Sequence, residues 1–401
     1  MMKADFDTPR RRRVSRAALA GFCAVLIGNG LGRFAYTPLI PALIANNWFT
    51  AGEAGYLGAA NLAGYLAGAV LGHPMTRLGR PTVILRAMMV LTAVSLLACV
   101  ERNLGFAWFF LWRFVAGYTG GVLMVVGAPL VLSATPPGRR GVVSGLMFTG
   151  VGLGIAASGL LVPRLIGWGG LEGSWFGLAV LSFALTLIAW NGWPEAGVPV
   201  EPGPQTRSAF GLPVYGLLAE YGLNAVGLVP HMLFLVDYVA RGLGRGLDAG
   251  AFDWIVFGIA AAVGPLLSGR LADVIGFRGA LRLAFALQAA AVALPVLTPA
   301  PGWIFVSSAV TGAFVPGIST LVLGRIHELS ELGPAQGRAW GYATTAWAIT
   351  QALAGYGYAY LLGTTDDYAL LFEIGVAALV LALAIELALG GVRNTPQSSY
   401  R

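Results

Sequence analysis

The chain has 401 residues, 57% hydrophobic and only 11% charged, with a mean hydropathy of +0.74 and a formal charge of +7. A soluble domain carries roughly 25% charged residues, so the composition excludes an ordinary soluble domain and points to a polytopic membrane protein. Twelve apolar segments follow one another, at 17–44, 53–72, 82–100, 106–133, 141–166, 173–193, 212–239, 247–269, 279–298, 302–324, 338–362 and 368–389. A helix needs about 20 such residues to cross ~30 Å of hydrocarbon.

Residues 1–16 form a basic stretch with Lys3, Arg10, Arg11, Arg12, Arg13 and Arg16. A signal peptide would begin in the same way, but the apolar run that follows is too long for one and is expected to be retained. Alternate loops continue the pattern with Arg77, Arg80, Arg86, Arg139, Arg140, Arg207, Arg270, Arg278, Arg282, Arg325 and Arg338, and the tail adds Arg393 and Arg401. The opposite loops hold four arginines: Arg102, Arg164, Arg241 and Arg245. The positive-inside rule therefore places both termini in the cytoplasm. The same bookkeeping makes the arginine cluster a topology anchor rather than a nucleic-acid site.

Span 1 contains "GNGLGRFAYTPLIP", residues 28–41. Arg33 lies near the middle of that span, where a charge costs ~2.5–3.5 kcal/mol and normally marks a pathway or an internal partner. It cannot usefully release its proton, so it suits an anion clamp better than a proton carrier. Tyr36 and Thr37 add hydroxyls, and Pro38 adds a helix break. Span 2 carries Gly64, Gly68 and Gly72 at spacing four, a small-residue face open to close helix approach. Span 4 holds the second intramembrane charge, Arg113. Span 5 has Gly150 and Gly154 at the same spacing, read as packing glycines; no strand precedes them, which excludes a dinucleotide loop. Cys23 and Cys99 lie in separate apolar spans, which supports neither a disulfide nor a metal site.

Span 7 supplies titratable groups. Glu220 and Asn224 share a face at i, i+4, and His231 follows Pro230. A carboxyl or imidazole removed from bulk water can exchange a proton during a transport cycle. Asp237 and Arg241 are spaced to pair with each other, and Asp253 is read as solvated near the outer end of span 8. Trp347 and Gln351 on span 11 are further cavity candidates.

The chain also repeats itself. "GHPMTRLGRPTVI" (72–84) and "GRLADVIGFRGAL" (269–281) align at one offset, pairing Gly72 with Gly269 and Gly79 with Gly276. Two six-span halves, 17–193 and 212–389, are thus joined by a polar linker at 194–211, with a cytoplasmic tail at 390–401. A duplicated bundle with its site where the halves meet is a transporter architecture.

Those paired loops resemble the signature of the major facilitator superfamily, Gly-x-Leu-Ala-Asp-Arg-x-Gly-Arg, and "RFVAGYTGG" (113–121) resembles its span 4 pattern. The stretch "GLGRFAYTPLIPAL" is similar to the bacterial YbfB/YjiJ-like branch. The resemblance implies an all-α integral membrane fold of twelve transmembrane helices in two pseudo-symmetric six-helix bundles, embedded in the bacterial inner membrane. It also implies a gating role for Gly72, Thr76, Arg77, Gly79, Arg80, Gly269, Asp273, Gly276 and Arg278. In the family the loop acid caps a helix of the opposite half and holds the cytoplasmic side shut; here Thr76 replaces it in the first loop, while Asp273 keeps it in the second. The Gly-Pro motif of antiporters in span 5 is absent.

The expected function is secondary transport of a small molecule by alternating access, coupled to protons, with a small organic anion as substrate. The substrate-binding candidates are Arg33, Tyr36, Arg113, Asn224, His231, Trp347 and Gln351, and the proton-coupling candidates are Glu220 and His231. An efflux antiporter of the same fold is the alternative, and a non-transporting receptor a more distant one. His73, His231 and His327 sit on different segments, so no catalytic or metal-binding constellation forms and no enzyme is expected. No cofactor and no nucleic-acid partner is implied, and a monomer is expected.

Overall fold

The computed structural model describes residues 9–194, 210–329 and 334–389. The beginning of the basic stretch, nearly all of the linker and the tail, with Lys3, Arg207, Arg393 and Arg401, lie outside the described residues. Among the described residues all the regular structure is helical, in twelve helical segments. They are α1 (9–45), α2 (Ala51–Met75), α3 (Pro81–Ala98), α4 (105–133), α5 (140–168), α6 (171–189), α7 (212–242), α8 (247–275), α9 (277–297), α10 (Pro301–Leu329), α11 (Pro334–Thr365) and α12 (Tyr368–Leu389).

Local chemistry sets the boundaries. Thr50 and Glu53 form a reciprocal capping box at the start of α2, with Glu53 Oε2 accepting from Thr50 N at 2.8 Å, so two orphan amides are satisfied at once. Pro81, Pro301 and Pro334 open their helices, where a missing N–H costs nothing. The turn from α5 to α6 passes through Gly170 at φ +66°, and that from α8 to α9 through Gly276 at φ +75°. Both values fall in the left-handed region that glycine enters without penalty.

Two helices are not uniform. α1 is α-helical to Val25, π-helical over Leu26–Leu31, 3-10 over Phe34–Leu39 and α-helical again to Ala45. α7 becomes π-helical at Pro230–Phe234 and again at Tyr238–Gly242. The apolar run predicts an uninterrupted span 1 apart from Pro38; instead the change of winding falls at Gly32 and Arg33, five residues before the proline.

Within each half the glycines let backbones touch. Gly64 and Gly68 of α2 face the backbone of Phe114 and Tyr118 on α4, as Gly264 faces Ala313 in the second half. Gly154 of α5 lies against Gly30 of α1, and Gly150 against Phe22. These are packing positions, as their spacing predicts.

Between the halves the packing is one-sided. The near face is the end carrying Arg16 and the loop 76–80, and the far face is the end carrying the loop 46–50. Toward the far face, Gly52 of α2 meets Gly363 of α11, Gly55 meets Ala359, and Gly159 of α5 meets Ala251 and Ile255 of α8. Deeper in, Gly152 meets Gly258 and Ala262. One apolar core runs through both halves there, with Phe34, Leu39, Trp175, Phe234 and Trp254 among its members. At the near face the first half keeps a separate core around Leu85, Met89, Leu123 and Met147. Gly79, Gly141, Gly145, Gly269 and Gly341 have open space beside them, and Leu78 and Val274 are 90% and 82% exposed. Among the described residues the close backbone contacts between the halves lie toward the far face and at mid-depth, which is the packing of a molecule held shut at the far face.

Candidate functional site

The site begins with the irregular winding of α1. The change from π to 3-10 helix falls at Gly32–Arg33, where the buried carbonyls accept from side chains as well, as buried polar backbone requires. Arg113 on α4 donates twice: from Nη1 to Gly32 O at 2.9 Å and from Nη2 to Arg33 O at 3.4 Å. Asn61 on α2 donates from Nδ2 to Gly32 O at 3.1 Å and to Arg113 O at 3.0 Å. The Arg113 guanidinium also lies 4.3 Å from the centre of the Tyr36 ring, whose hydroxyl donates to Ala54 O at 2.8 Å. Arg113 is thereby a brace between α4 and the broken part of α1.

Arg33 is differently placed. It is 7% exposed and crosses to the second half, where Nη2 donates to Gln351 Oε1 of α11 at 2.6 Å. Its Cζ lies 4.9 Å from the Phe34 ring, 4.8 Å from Tyr65 and 5.9 Å from Trp347. Among the described residues no carboxylate forms an ion pair with it, and its Nε has no hydrogen-bond partner. Three ring faces lower the cost of the buried charge, but they leave a donor unspent.

A cavity of about 20 Å³ lies beside these groups, bounded among others by Arg33, Tyr36, Asn61, Arg113, Met232 and Gln351. It spans the boundary between the halves at mid-depth and is sized for about one water. Thr37 Oγ1 donates across the same boundary to Met232 O at 2.8 Å, and Trp254 Nε1 to Ser158 Oγ at 3.1 Å. From the near face a stacked series leads to the cavity: Trp340, Tyr221 and Trp347, with centroid separations of 6.4 and 5.9 Å.

Of the residues singled out in the sequence, Arg33, Tyr36, Arg113, Trp347 and Gln351 converge here. Asn224 and His231 are buried inside the second half instead. Asn224 Nδ2 donates to Gln288 Oε1 at 2.7 Å. His231 Nε2 is 2.7 Å from Ser307 Oγ, and Ser307 in turn donates to Ala291 O at 2.6 Å. Since the serine proton is committed, Nε2 carries the hydrogen and Nδ1 is left without a partner. That is the environment of a neutral packing histidine, edge-on to Phe372.

Glu220 is buried on α7 with Oε2 unpartnered. The charges acting on it are Glu386 of α12 and Arg325 of α10. Glu386 Oε1 lies 3.5 Å from Arg278 Nε and 3.4 Å from Arg282 Nε. No Arg33–Glu220 pair exists; nine residues of α7, about 13 Å at the helical rise, separate Glu220 from Val229, which borders the cavity. The expected Asp237–Arg241 pair is present at 3.2 Å, with the Tyr368 hydroxyl donating to Asp237 at 2.5 Å. Asp253 is buried at 6% exposure rather than solvated, because α8 packs against the far-face core.

The residues expected to gate lie at the near face. Thr76 Oγ1 donates to His73 O of its own helix at 2.7 Å. Asp273, Arg77 and Arg80 are exposed, and none makes a cross-half bond among the described residues. Arg278 turns to Glu386 within its own half. Among the described residues, neither Thr76 nor Asp273 makes a hydrogen bond or ion pair to the opposite half. Gly72 packs on Val125, and Gly276 makes the α8–α9 turn.

Asn61, Tyr65 and Phe34 were not anticipated. Asn61 could have been: in "GAANLAGYLAG" it is the only amide within a small-residue face. Among the described residues no group of three or more metal-ligating side chains occurs.

Paired six-helix halves around a mid-depth polar cavity, held shut at one face, define an integral membrane secondary transporter rather than an enzyme. The chain belongs to the major facilitator superfamily, in the family described as uncharacterised MFS-type transporter YbfB, whose family model matches residues 25–387. Its fold is similar to that of a bacterial homolog of the human lysosomal transporter Spinster, solved in an inward-facing and unoccupied conformation. The TM-score is 0.69 at 16% identity, covering 95% of this chain and 97% of that one. It is similar also to a D-xylose–proton symporter, with a TM-score of 0.70 at 16% identity over 93% and 96% of the two chains. No curated protein matches the chain in sequence.

Proposed function

We propose that this transporter moves a small organic anion, held by Arg33, in exchange with or alongside protons. The observation that carries the anion is the unspent guanidinium: a permanent cation at the inter-half cavity, with a free Nε and no carboxylate partner among the described residues. Burying such a charge is unfavourable unless an anion completes it during the cycle. Residues 17–193 and 212–389 are the two moving bodies and 194–211 the linker. The arginine-rich loops put the near face, and both termini, in the cytoplasm of a bacterial inner-membrane protein. The structure is then the inward-open form.

The proton site is Glu220. It is a buried carboxyl with a free oxygen, and it feels the charges of Glu386, which Arg278 and Arg282 hold, and of Arg325, so a proton arriving there would be felt by those groups. His231 has no acceptor for a second proton and is not part of this proposal. In proteoliposomes, Glu220→Gln should retain substrate counterflow yet lose accumulation driven by a proton gradient. Accumulation that survives Glu220→Gln removes the coupling role. Unchanged binding of small carboxylates by Arg33→Ala removes the anion.

A further inference from the structure

The guanidinium of Arg33 is half used. Nε and Nη2 form one edge of the fork, with parallel hydrogens suited to the two oxygens of a carboxylate. Gln351, which has a single acceptor oxygen, occupies only Nη2, at 2.6 Å, and Nε is empty. The amide is therefore a placeholder: it satisfies one donor in the vacant transporter, and a carboxylate would satisfy both. Because Gln351 is on α11 and Arg33 on α1, its displacement also releases a tie between the halves.

A second orphan lies beside the first. Asn61 is 1% exposed, and its Nδ2 donates to two carbonyls, Gly32 O and Arg113 O. Both partners are pure acceptors, so the amide cannot be flipped. Oδ1 is an acceptor with no donor. Asn61 and Arg33 border the same cavity, and Asn61 bonds to the residue adjoining Arg33. The cavity thus asks for an anion on one side and a hydrogen-bond donor next to it.

That donor must be neutral. Arg33 and Arg113 both border the cavity and no acid does, so an ammonium group would add a third positive charge to a site with no counterion. The cavity's volume is about 20 Å³, and Leu62, Leu233 and Gln351 are among the residues that wall it. Resting on the anion reading above, we infer that the substrate is a short hydroxy acid, its carboxylate replacing Gln351 on Arg33 and its hydroxyl donating to Asn61 Oδ1.

The test is calorimetric titration of the purified full-length protein with matched acids: glycolate against acetate, and lactate against propionate. Each hydroxy acid should bind at least tenfold tighter than its partner, since a site built around a hydroxyl discriminates strongly against its absence. Gln351→Ala should tighten all four acids severalfold and keep the preference. Gln351→Glu should abolish binding while unfolding at or above the native temperature, because the built-in carboxylate completes the fork. Equal binding of glycolate and acetate overturns the hydroxyl and leaves the anion reading standing. Glycine binding tighter than glycolate overturns the neutral donor. Unchanged affinities in Gln351→Ala overturn the placeholder, and failure of all four acids to bind the native chain at millimolar concentration overturns both readings.

Discussion

Two arginines lie at the same depth on neighbouring helices, and their surroundings assign them opposite roles. Arg113 meets two carbonyls at the irregular winding of α1, and an aromatic face, all within its own half. Arg33 sits at the winding change itself, points across to the other half, and finds one neutral oxygen there. Both are almost completely buried. The charge alone does not distinguish a binding group from a brace. Each leaves its Nε without a partner; what distinguishes them is that Arg113 makes two hydrogen bonds and Arg33 one, and that the partners of Arg113 belong to its own half while that of Arg33 belongs to the other.

The contrast can be broken at either arginine. The largest loss of stability should come from Arg113→Leu, which removes two hydrogen bonds from the guanidinium to the Gly32 and Arg33 carbonyls and leaves Asn61 as the only side-chain donor to Gly32 O among the described residues. Hydrogen bonds to charged groups contribute about 1.5–3 kcal/mol each, so thermal unfolding in detergent should fall well below that of the native chain. If it does not, Arg113 is no brace. Arg33→Ala should instead weaken binding of a small carboxylate about a hundredfold, the range found when one member of a buried charged contact is removed. Its unfolding temperature should hold or rise, since an incompletely paired charge is gone. A large fall would make the two arginines alike.

Arg33→Lys sharpens the comparison: equal charge without the planar fork should cost about tenfold in affinity by titration. An unchanged value would reduce Arg33 to a point charge. The smallest effect is expected at Thr76→Asp, far from both arginines. Placing an acid near a helix N-terminus is worth ~0.3–1 kcal/mol, so spectroscopic distances across the near face should shift toward closure by a few-fold in population, with Arg113-dependent stability untouched. No shift would mean that the position is not a lock. Asp273→Asn should shift the same distances toward opening.

The fold was legible because it is written in repetition: apolar runs of membrane length, paired glycine-bearing loops, and arginines concentrated in alternate loops. The glycine faces of α2 and α5 were legible for the same reason, since spacing four determines what a helix can touch. The site was legible only at its charges. Arg33 and Arg113 stand out in an apolar run, but the sequence does not show which carbonyls at a change from π to 3-10 winding accept from side chains, and so does not separate them. Asn224 and His231 look equally polar and equally deep, yet Gln288 and Ser307, remote in sequence, take them into the second half's interior. Burial beside a partner from the same half and burial at the seam between halves have the same signature in one dimension.

The far-face seam has a thermodynamic consequence of its own. Where Gly52 meets Gly363 and Gly152 meets Gly258, bare backbones touch and there are no side chains to immobilise. Closing such a seam costs almost no rotamer entropy, because glycine and alanine have none to lose. Opening it returns none either. The seam therefore biases the alternating equilibrium weakly in both directions, leaving contacts at the cavity to decide which way the molecule tips. A single bulky residue there would act as a doorstop, and the carrier would rest open at the far face whatever it had bound.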